Sequence, residues 1–115
     1  MEVQAITKNV RMSAQKMREV VRQIQGLPAI QAQAVLAVVP RKSARFVAKT
    51  LKSAIANAED QARHKNINLN PENLRVREAV AGTATTLKRF VPKARGSAGP
   101  ILKRSCHIKI VLSDE

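Results

Sequence analysis

Few side chains in this sequence are equipped for covalent chemistry. Cys106 and His107 are neighbours, the pair a thiol nucleophile and its base would use. Yet Cys106, Ile108, Ile110 and Leu112 alternate with His107 and Lys109, the pattern of a strand from about Ser105 to Leu112, so thiol and imidazole point to opposite faces and cannot form a dyad. Cys106 reads instead as a small buried hydrophobe. His64 is the other histidine, and two histidines with one cysteine give no metal-ligand spacing. The acids Glu2, Glu19, Glu59, Asp60, Glu72, Glu78, Asp114 and Glu115 are scattered, and no glycine-rich phosphate loop or Ser-His-Asp set occurs. The expectation is a protein without catalytic residues, cofactor or metal.

What remains is electrostatics. Lys and Arg number 21 against 8 acids, a formal net charge of +13 with a pI near 11.2. Between Ala79 and Ser113 there are seven basic side chains and no acid. Lys88, Arg89, Lys93, Arg95, Lys103 and Arg104 fall within seventeen residues and repel one another, so the segment is expected to be extended or disordered until a polyanion neutralises it. A second acid-free stretch, Val20 to Ala58, carries Arg22, Arg41, Lys42, Arg45, Lys49 and Lys52. Solubility alone is served by mixed signs, so these cations are read as phosphate contacts. Arg11, Lys16 and Arg18 surround the start of a helix whose free amides also attract phosphate.

Several elements must position these charges. Residues 2–10 read as a strand. Ser13 can cap the amide of Gln15 or Lys16, Met12 and Met17 stand at staple positions, and Met17, Val20, Val21 and Ile24 recur at helical spacing before Gly26 closes the helix. Pro28 suits the first turn of a second helix with Ile30, Ala34, Val35 and Val38 on its packing face, stopped at Pro40. A third helix runs from about Arg41 to Arg63. Val47, Leu51, Ala54, Ile55 and Ala58 form its apolar stripe, while Arg41, Arg45, Lys49 and Lys52 fall roughly opposite at about 100° per residue. Asn57 can take an internal hydrogen bond or receive an RNA strand. Late acids Glu59 and Asp60 are expected to pair with Arg63.

Asn68, Asn70, Pro71 and Asn73 mark a turn-rich break, followed by a half-buried strand with Leu74, Val76 and Val80 on one side. Between this strand and the one at Ser105–Leu112 lie residues 82–105, a polar insert read as a long hairpin arm. The chain is thus expected to be a single domain, 1–115, with a body of 1–81 and 106–115 and an arm of 82–105. Pro92 to Gly96 is the expected tip. At roughly 3.3 Å per residue the arm could reach about 30 Å, and a ribbon of that length needs a partner surface to order it.

Composition narrows the partner. No apolar run approaches the roughly 18 residues of a membrane span, and no secretory-type hydrophobic stretch follows Met1. Phe46 and Phe90 are the only aromatics, too few for the stacking platforms of RRM sheets or single-strand-binding OB-folds. One cysteine fits a reducing, cytosolic address.

Four segments carry a resemblance: Ser13-Ala14-Gln15-Lys16-Met17-Arg18, Leu51 through Glu59, Leu87-Lys88-Arg89-Phe90 with Pro92-Lys93-Ala94-Arg95-Gly96, and Lys103 through Ile108. In this order and spacing they resemble the bacterial-type large-subunit ribosomal protein twenty-two family over nearly the whole chain. The resemblance implies an α+β fold, three helices packed on a small three-stranded antiparallel sheet with a long protruding basic β-hairpin. It further implies a structural protein seated on 23S-type ribosomal RNA, aiding subunit assembly, its hairpin lining the nascent-peptide exit tunnel. Implied partners are that RNA, neighbouring large-subunit proteins and the nascent peptide; the implied state is a monomer before assembly, with no membrane contact, and the implied address is the ribosome of a bacterial cytoplasm or, alternatively, of an organelle. By motif match, RNA and tunnel contacts fall to Lys88, Arg89, Lys93, Arg95, Lys103 and Arg104, and body contacts to Arg11, Lys16, Arg18 and Lys52, with His107 carried over. The hairpin tip comprises Phe90, Val91, Pro92, Lys93, Ala94, Arg95 and Gly96.

Two stretches depart from the family pattern. Gly82-Thr83-Ala84-Thr85 replaces an acidic glycine-proline start to the arm, and Ser97-Ala98-Gly99-Pro100 replaces a basic-acidic stretch after the tip. Pro100 lacks a ladder donor, so a bend or unpaired stretch is expected near Gly99 and Pro100. The rival class is an architectural DNA-binding protein with basic β-arms. Such proteins grip duplexes with two arms per dimer, whereas this chain offers one arm and apolar stripes consumed within one body.

Overall fold

Strand β1 (Glu2–Val10) opens the chain in the computed structural model, which describes residues 2–66, 73–92, 94–96 and 98–114. Three helices follow, α1 (Ala14–Ile24), α2 (Ala29–Val38) and α3 (Lys42–His64). Then come β2 (Arg75–Thr83), β3 (Leu87–Pro92), a short 3-10 turn at Ala94–Gly96, β4 (Ala98–Lys103) and β5 (Cys106–Ser113). The chain is an α+β protein. One antiparallel sheet has the order β1-β5-β2, and β3 and β4 pair as a separate two-stranded ribbon. Its overall extent is 67 × 27 × 16 Å. The turn expected at Asn68, Asn70 and Pro71 lies outside the described residues, as do Lys93 and Ser97.

The local signals act as elementary chemistry dictates. Ser13 accepts from the Lys16 amide at 3.4 Å, and Met17 beneath it is fully buried while Met12 packs on the core edge. Gly26, at φ +80°, turns the chain out of α1 through a left-handed conformation that other residues adopt at a cost. On α3, Val47, Leu51, Ala54 and Ala58 are fully buried and Ile55 lines the rim. Many buried positions on this helix are alanine, which lets it lie close to the sheet. Thr50 donates its one hydroxyl proton to the Phe46 carbonyl (2.9 Å), so in its 2.7 Å contact with Thr7 of β1 the Thr7 hydroxyl is the donor.

Three expectations need correction. The packing face of α2 is Ala29, Ala32 and Leu36, whereas Ile30 and Val38 are exposed. Only two glutamines interrupt this helix, so its apolar residues lie all round and periodicity could not choose a face. In β2, Val76 faces the core but Val80 does not, because the register shifts between Val76 and Glu78; one extra residue reverses the alternation and turns Ala79 and Ala81 inward. Finally, Gly99 and Pro100 are paired, with Val91 and Phe90 respectively. Pro100 and Pro92 occupy rungs of the same parity, Phe90↔Pro100 and Pro92↔Ala98. Prolines on alternate rungs fit a ladder whose bonds run through the other rungs, where neither ring nitrogen is asked to donate.

The outer edge of β2 is sealed. The link between α1 and α2 exchanges backbone bonds with it: Gly26 N to Val76 O, Val76 N to Leu27 O and Ala29 N to Leu74 O, at 2.8–2.9 Å. Farther along, Gln25 Nε2 donates to Ala79 O at 3.0 Å and Arg18 Nε to Ala81 O at 2.9 Å. An edge covered in this way cannot template another strand.

Candidate nucleic-acid interface

The ribbon leaves the sheet at one end, and that end collects cations. Along β5 the rungs run from Ser113, paired with Glu2 and Arg75, to Cys106, paired with Val10 and Thr83. Beyond Thr83 a single backbone bond, Ala84 N to Ser105 O at 3.0 Å, closes the neck before the ribbon begins. Helix α3 runs antiparallel to β1, since Thr50 meets Thr7 while Asn57 reaches the Gln4 carbonyl at 3.2 Å. Its first turns, with Lys42, Arg45 and Lys49, therefore lie toward the arm. The last turns, with Glu59 and Asp60, lie at the far end beside Glu2, Glu78 and Asp114. One pole is cationic, and the other mixes acids with Arg63, Arg75 and Arg77; a Glu2–Arg77 ion pair spans its sheet face.

Two clefts flank the neck. One, of about 430 Å³, is lined by Ser13, Ala14, Gln15, Arg18, Thr83, Thr86, Arg104 and Ser105. The other, of about 360 Å³, is lined by Arg11, Leu87, Arg89, Lys103, Arg104 and Ser105. Arg104 belongs to both. The fold thus brings Arg11, Arg18, Arg89, Lys103 and Arg104 together from four chain segments, all exposed. The hydroxyls of Thr83 and Thr86, in a cleft beside two guanidinium groups, emerge only from the fold.

The ribbon carries its residues on two faces. Lys88, Phe90 and Pro92 lie opposite Leu102, Pro100 and Ala98 on one, and Leu87, Arg89 and Val91 lie opposite Lys103, Ile101 and Gly99 on the other. At the tip, Arg95 and Gly96 both have positive φ, +63° and +72°. A left-handed arginine costs on the order of 1 kcal/mol where glycine or asparagine would relieve it, so its charge stands at the tip despite the backbone. Phe90, Val91 and Pro92 are exposed; Ala94 enters the turn through its backbone.

Other predicted residues are diverted or stand apart. Arg41, the N-cap residue of α3, forms an ion pair with Glu19 of α1, the one acid among the described residues of this half of the body. His107 Nδ1 accepts from the backbone amide of Asn9 at 3.1 Å; Asn9 sits at φ +58° where the β1 register breaks. That bond leaves only Nε2 of His107 for an outside partner. Asn57 is committed to Gln4, and Asp60 faces His64 at 3.8 Å rather than Arg63. Lys16, Lys49 and Lys52 are exposed on their helices, and Lys42 and Arg45 border an open groove of about 590 Å³ between the end of α2 and the start of α3. Cys106 is wholly buried, and burial pushes its thiol pKa up, away from nucleophile chemistry. Among the described residues no group of His, Cys, Asp or Glu could hold a metal ion, and no helix is long and apolar enough to cross a membrane.

Small helical body, three-stranded sheet, basic neck and a separate two-stranded ribbon define an α+β protein with an exposed basic arm. Comparison with known proteins gives the family. The ribosomal protein L22p/L17e family matches residues 5–113, and the chain belongs to it. It is 53% identical over 114 residues to the large ribosomal subunit protein uL22 of Opitutus terrae, covering 99% of this chain and 96% of that one. It is also 47% identical over 115 residues to uL22 of Methylacidiphilum infernorum (100% and 96% covered) and 44% identical over 115 residues to that of Akkermansia muciniphila (100% and 98%). A protein of this family is a structural ribosome component and not an enzyme.

Proposed function

We propose that this protein binds 23S-type ribosomal RNA in the large subunit through its cationic pole, with the hairpin 82–105 threaded between RNA helices to line the nascent-peptide exit tunnel, and that its docking aids subunit assembly. The observation that carries this reading is the ribbon itself. Leu87, Phe90, Val91, Ile101 and Leu102 are all exposed on it, and among the described residues none of them belongs to the core cluster or to the side chains packed against it. A two-stranded ribbon bare on both faces, with cations at root and tip, matches a crowded anionic surround.

On this reading Arg11, Arg18, Arg89, Lys103 and Arg104 grip phosphates at the neck, Lys88, Lys93 and Arg95 along the arm, and Lys16, Lys42, Arg45, Lys49 and Lys52 on the body. Arg41 contributes only when it leaves Glu19, and His107 only through Nε2. Backbone and shape contacts dominate, because A-form RNA exposes phosphates and 2′-hydroxyls more than base edges. The protein arrives as a monomer in the cytoplasm and meets neighbouring large-subunit proteins and the nascent peptide only once seated.

The test is binding to large-subunit ribosomal RNA fragments and to duplex DNA of matched length as salt is varied. About ten phosphate contacts give a log-log slope of roughly −7 to −9. A preference for one folded RNA fragment that survives physiological salt supports the proposal. Equal or tighter binding to the duplex rejects it in favour of architectural DNA binding.

A further inference from the structure

The chain has two aromatic residues, and the fold treats them oppositely. Phe46 packs against the core. Phe90 is 73% exposed in the middle of β3. Cross-strand pairing puts Pro100 directly opposite it, with Pro92 and Ala98 on the next same-face rung toward the tip and Lys88 and Leu102 on the one toward the body. Apart from Lys88, none of the paired residues on this face has a side chain able to donate or accept a hydrogen bond. A β-branched residue would serve strand propensity equally well, and a ring left almost three-quarters in water is not there to clasp Pro100.

We infer that Phe90 is a stacking site for one unpaired nucleobase of the ribosomal RNA, an inference that rests on the RNA-binding role proposed above. The surround supplies the charge complement. Lys88 and Arg89 precede the ring, Arg95 stands at the tip, and no acid occurs from Ala79 to Ser113. Phosphates drawn to these cations bring their bases within reach of the one exposed phenyl ring among the described residues. Every base has a π-face, so the contact is tolerant of base identity; the rungs at Pro92–Ala98 and Phe90–Pro100 carry nothing that could read a base edge. One ring makes one stack, not the multi-base platform that the composition excludes.

The chain contains no Trp and no Tyr, which allows a spectroscopic test in the full-length protein. Phe90→Trp places a single indole on the ribbon, and Ile30→Trp, on the exposed first turn of α2 at the far pole, places one away from the cationic surface. With large-subunit RNA fragments that the wild-type protein binds, stacking quenches the indole of the Phe90→Trp protein far more than that of the Ile30→Trp protein. Phe90→Leu keeps an apolar strand residue but removes the π-face, and Phe90→Ala removes both. Alanine should weaken binding by about 5- to 150-fold, with leucine falling with it, tryptophan retaining affinity and the salt slope unchanged in all. Wild-type affinity in the leucine variant, or equal quenching of both indoles, overturns the stack while leaving RNA binding intact. Failure of the wild-type protein to prefer any RNA fragment would remove the underlying reading instead.

Discussion

The Nε of Arg18 donates to the carbonyl of Ala81 at 2.9 Å, tying the first helix to the last turn of β2 before the arm departs. That bond fixes the plane of the guanidinium and leaves its terminal nitrogens on the cleft shared with Arg104. One side chain therefore seals a sheet edge and presents a fork suited to phosphate. Arg18→Ala should weaken RNA binding and make the salt slope shallower by about 1, whereas Arg18→Lys keeps the slope and loses only affinity. Salt titration of both variants separates charge from geometry; an unchanged slope in the alanine variant takes Arg18 out of the interface.

The neck bond between Ala84 and Ser105 marks where the arm can be removed. Replacing residues 85–104 with Asn-Gly rejoins β2 and β5 through a tight hairpin turn. The ribbon contributes no buried side chain to the core cluster, so the thermal midpoint should move by less than about 5 °C, the equivalent of under 1 kcal/mol. Affinity for ribosomal RNA should fall sharply. Loss of cooperative unfolding would show that body and arm are not separable.

Glu19 occupies Arg41 in an ion pair. With side chains about half exposed, this pair contributes at most ~1 kcal/mol to stability, so Glu19→Gln should be almost silent in thermal unfolding. Yet it frees one cation and deletes one repulsive charge. The expected result is tighter RNA binding with a slope steeper by roughly 0.7 to 0.9; affinity at or below wild type would place Arg41 outside the contact surface.

The buried thiol of Cys106 gives a pH signature. Burial raises its pKa in the folded protein above that of the unfolded chain, so folding retains the proton more tightly. This contribution is fully present below the ordinary thiol range and is lost as pH climbs through the raised value. Native protein should resist alkylation at neutral pH and react once denatured. Rapid modification of the folded protein would contradict the burial.

How far the sequence carried the reading depended on the reach of each interaction. Ser13, Met17 and Gly26 act within a turn of their own helix, and the opposition of Val47, Leu51 and Ala54 to Arg45 and Lys49 follows from helix pitch alone. Cys106 and His107 were separated by strand alternation. Where the local pattern was degenerate, as among the many apolar residues of α2, or was reset by one inserted residue, as before Val80, the face came out wrong. Pro100 misled because a missing donor matters only on alternate rungs, and rung parity depends on the partner strand. The links Arg18–Ala81, Arg41–Glu19 and His107–Asn9 join residues 22 to 98 positions apart, and no spacing rule announces them.

On the proposed role, charge segregation along a 67 Å axis also governs how the protein meets its RNA. At cellular ionic strength fields fade over about 8 Å, so an approaching RNA senses only the end nearest to it. A collision on the far end meets acids and arginines that nearly cancel, and the partners drift apart. A collision led by the arm meets unopposed positive charge and is held long enough for the ribbon to find its passage. The molecule sorts its own encounters, and wrong-way-round landings are discarded by their short lifetime before any contact has to be undone.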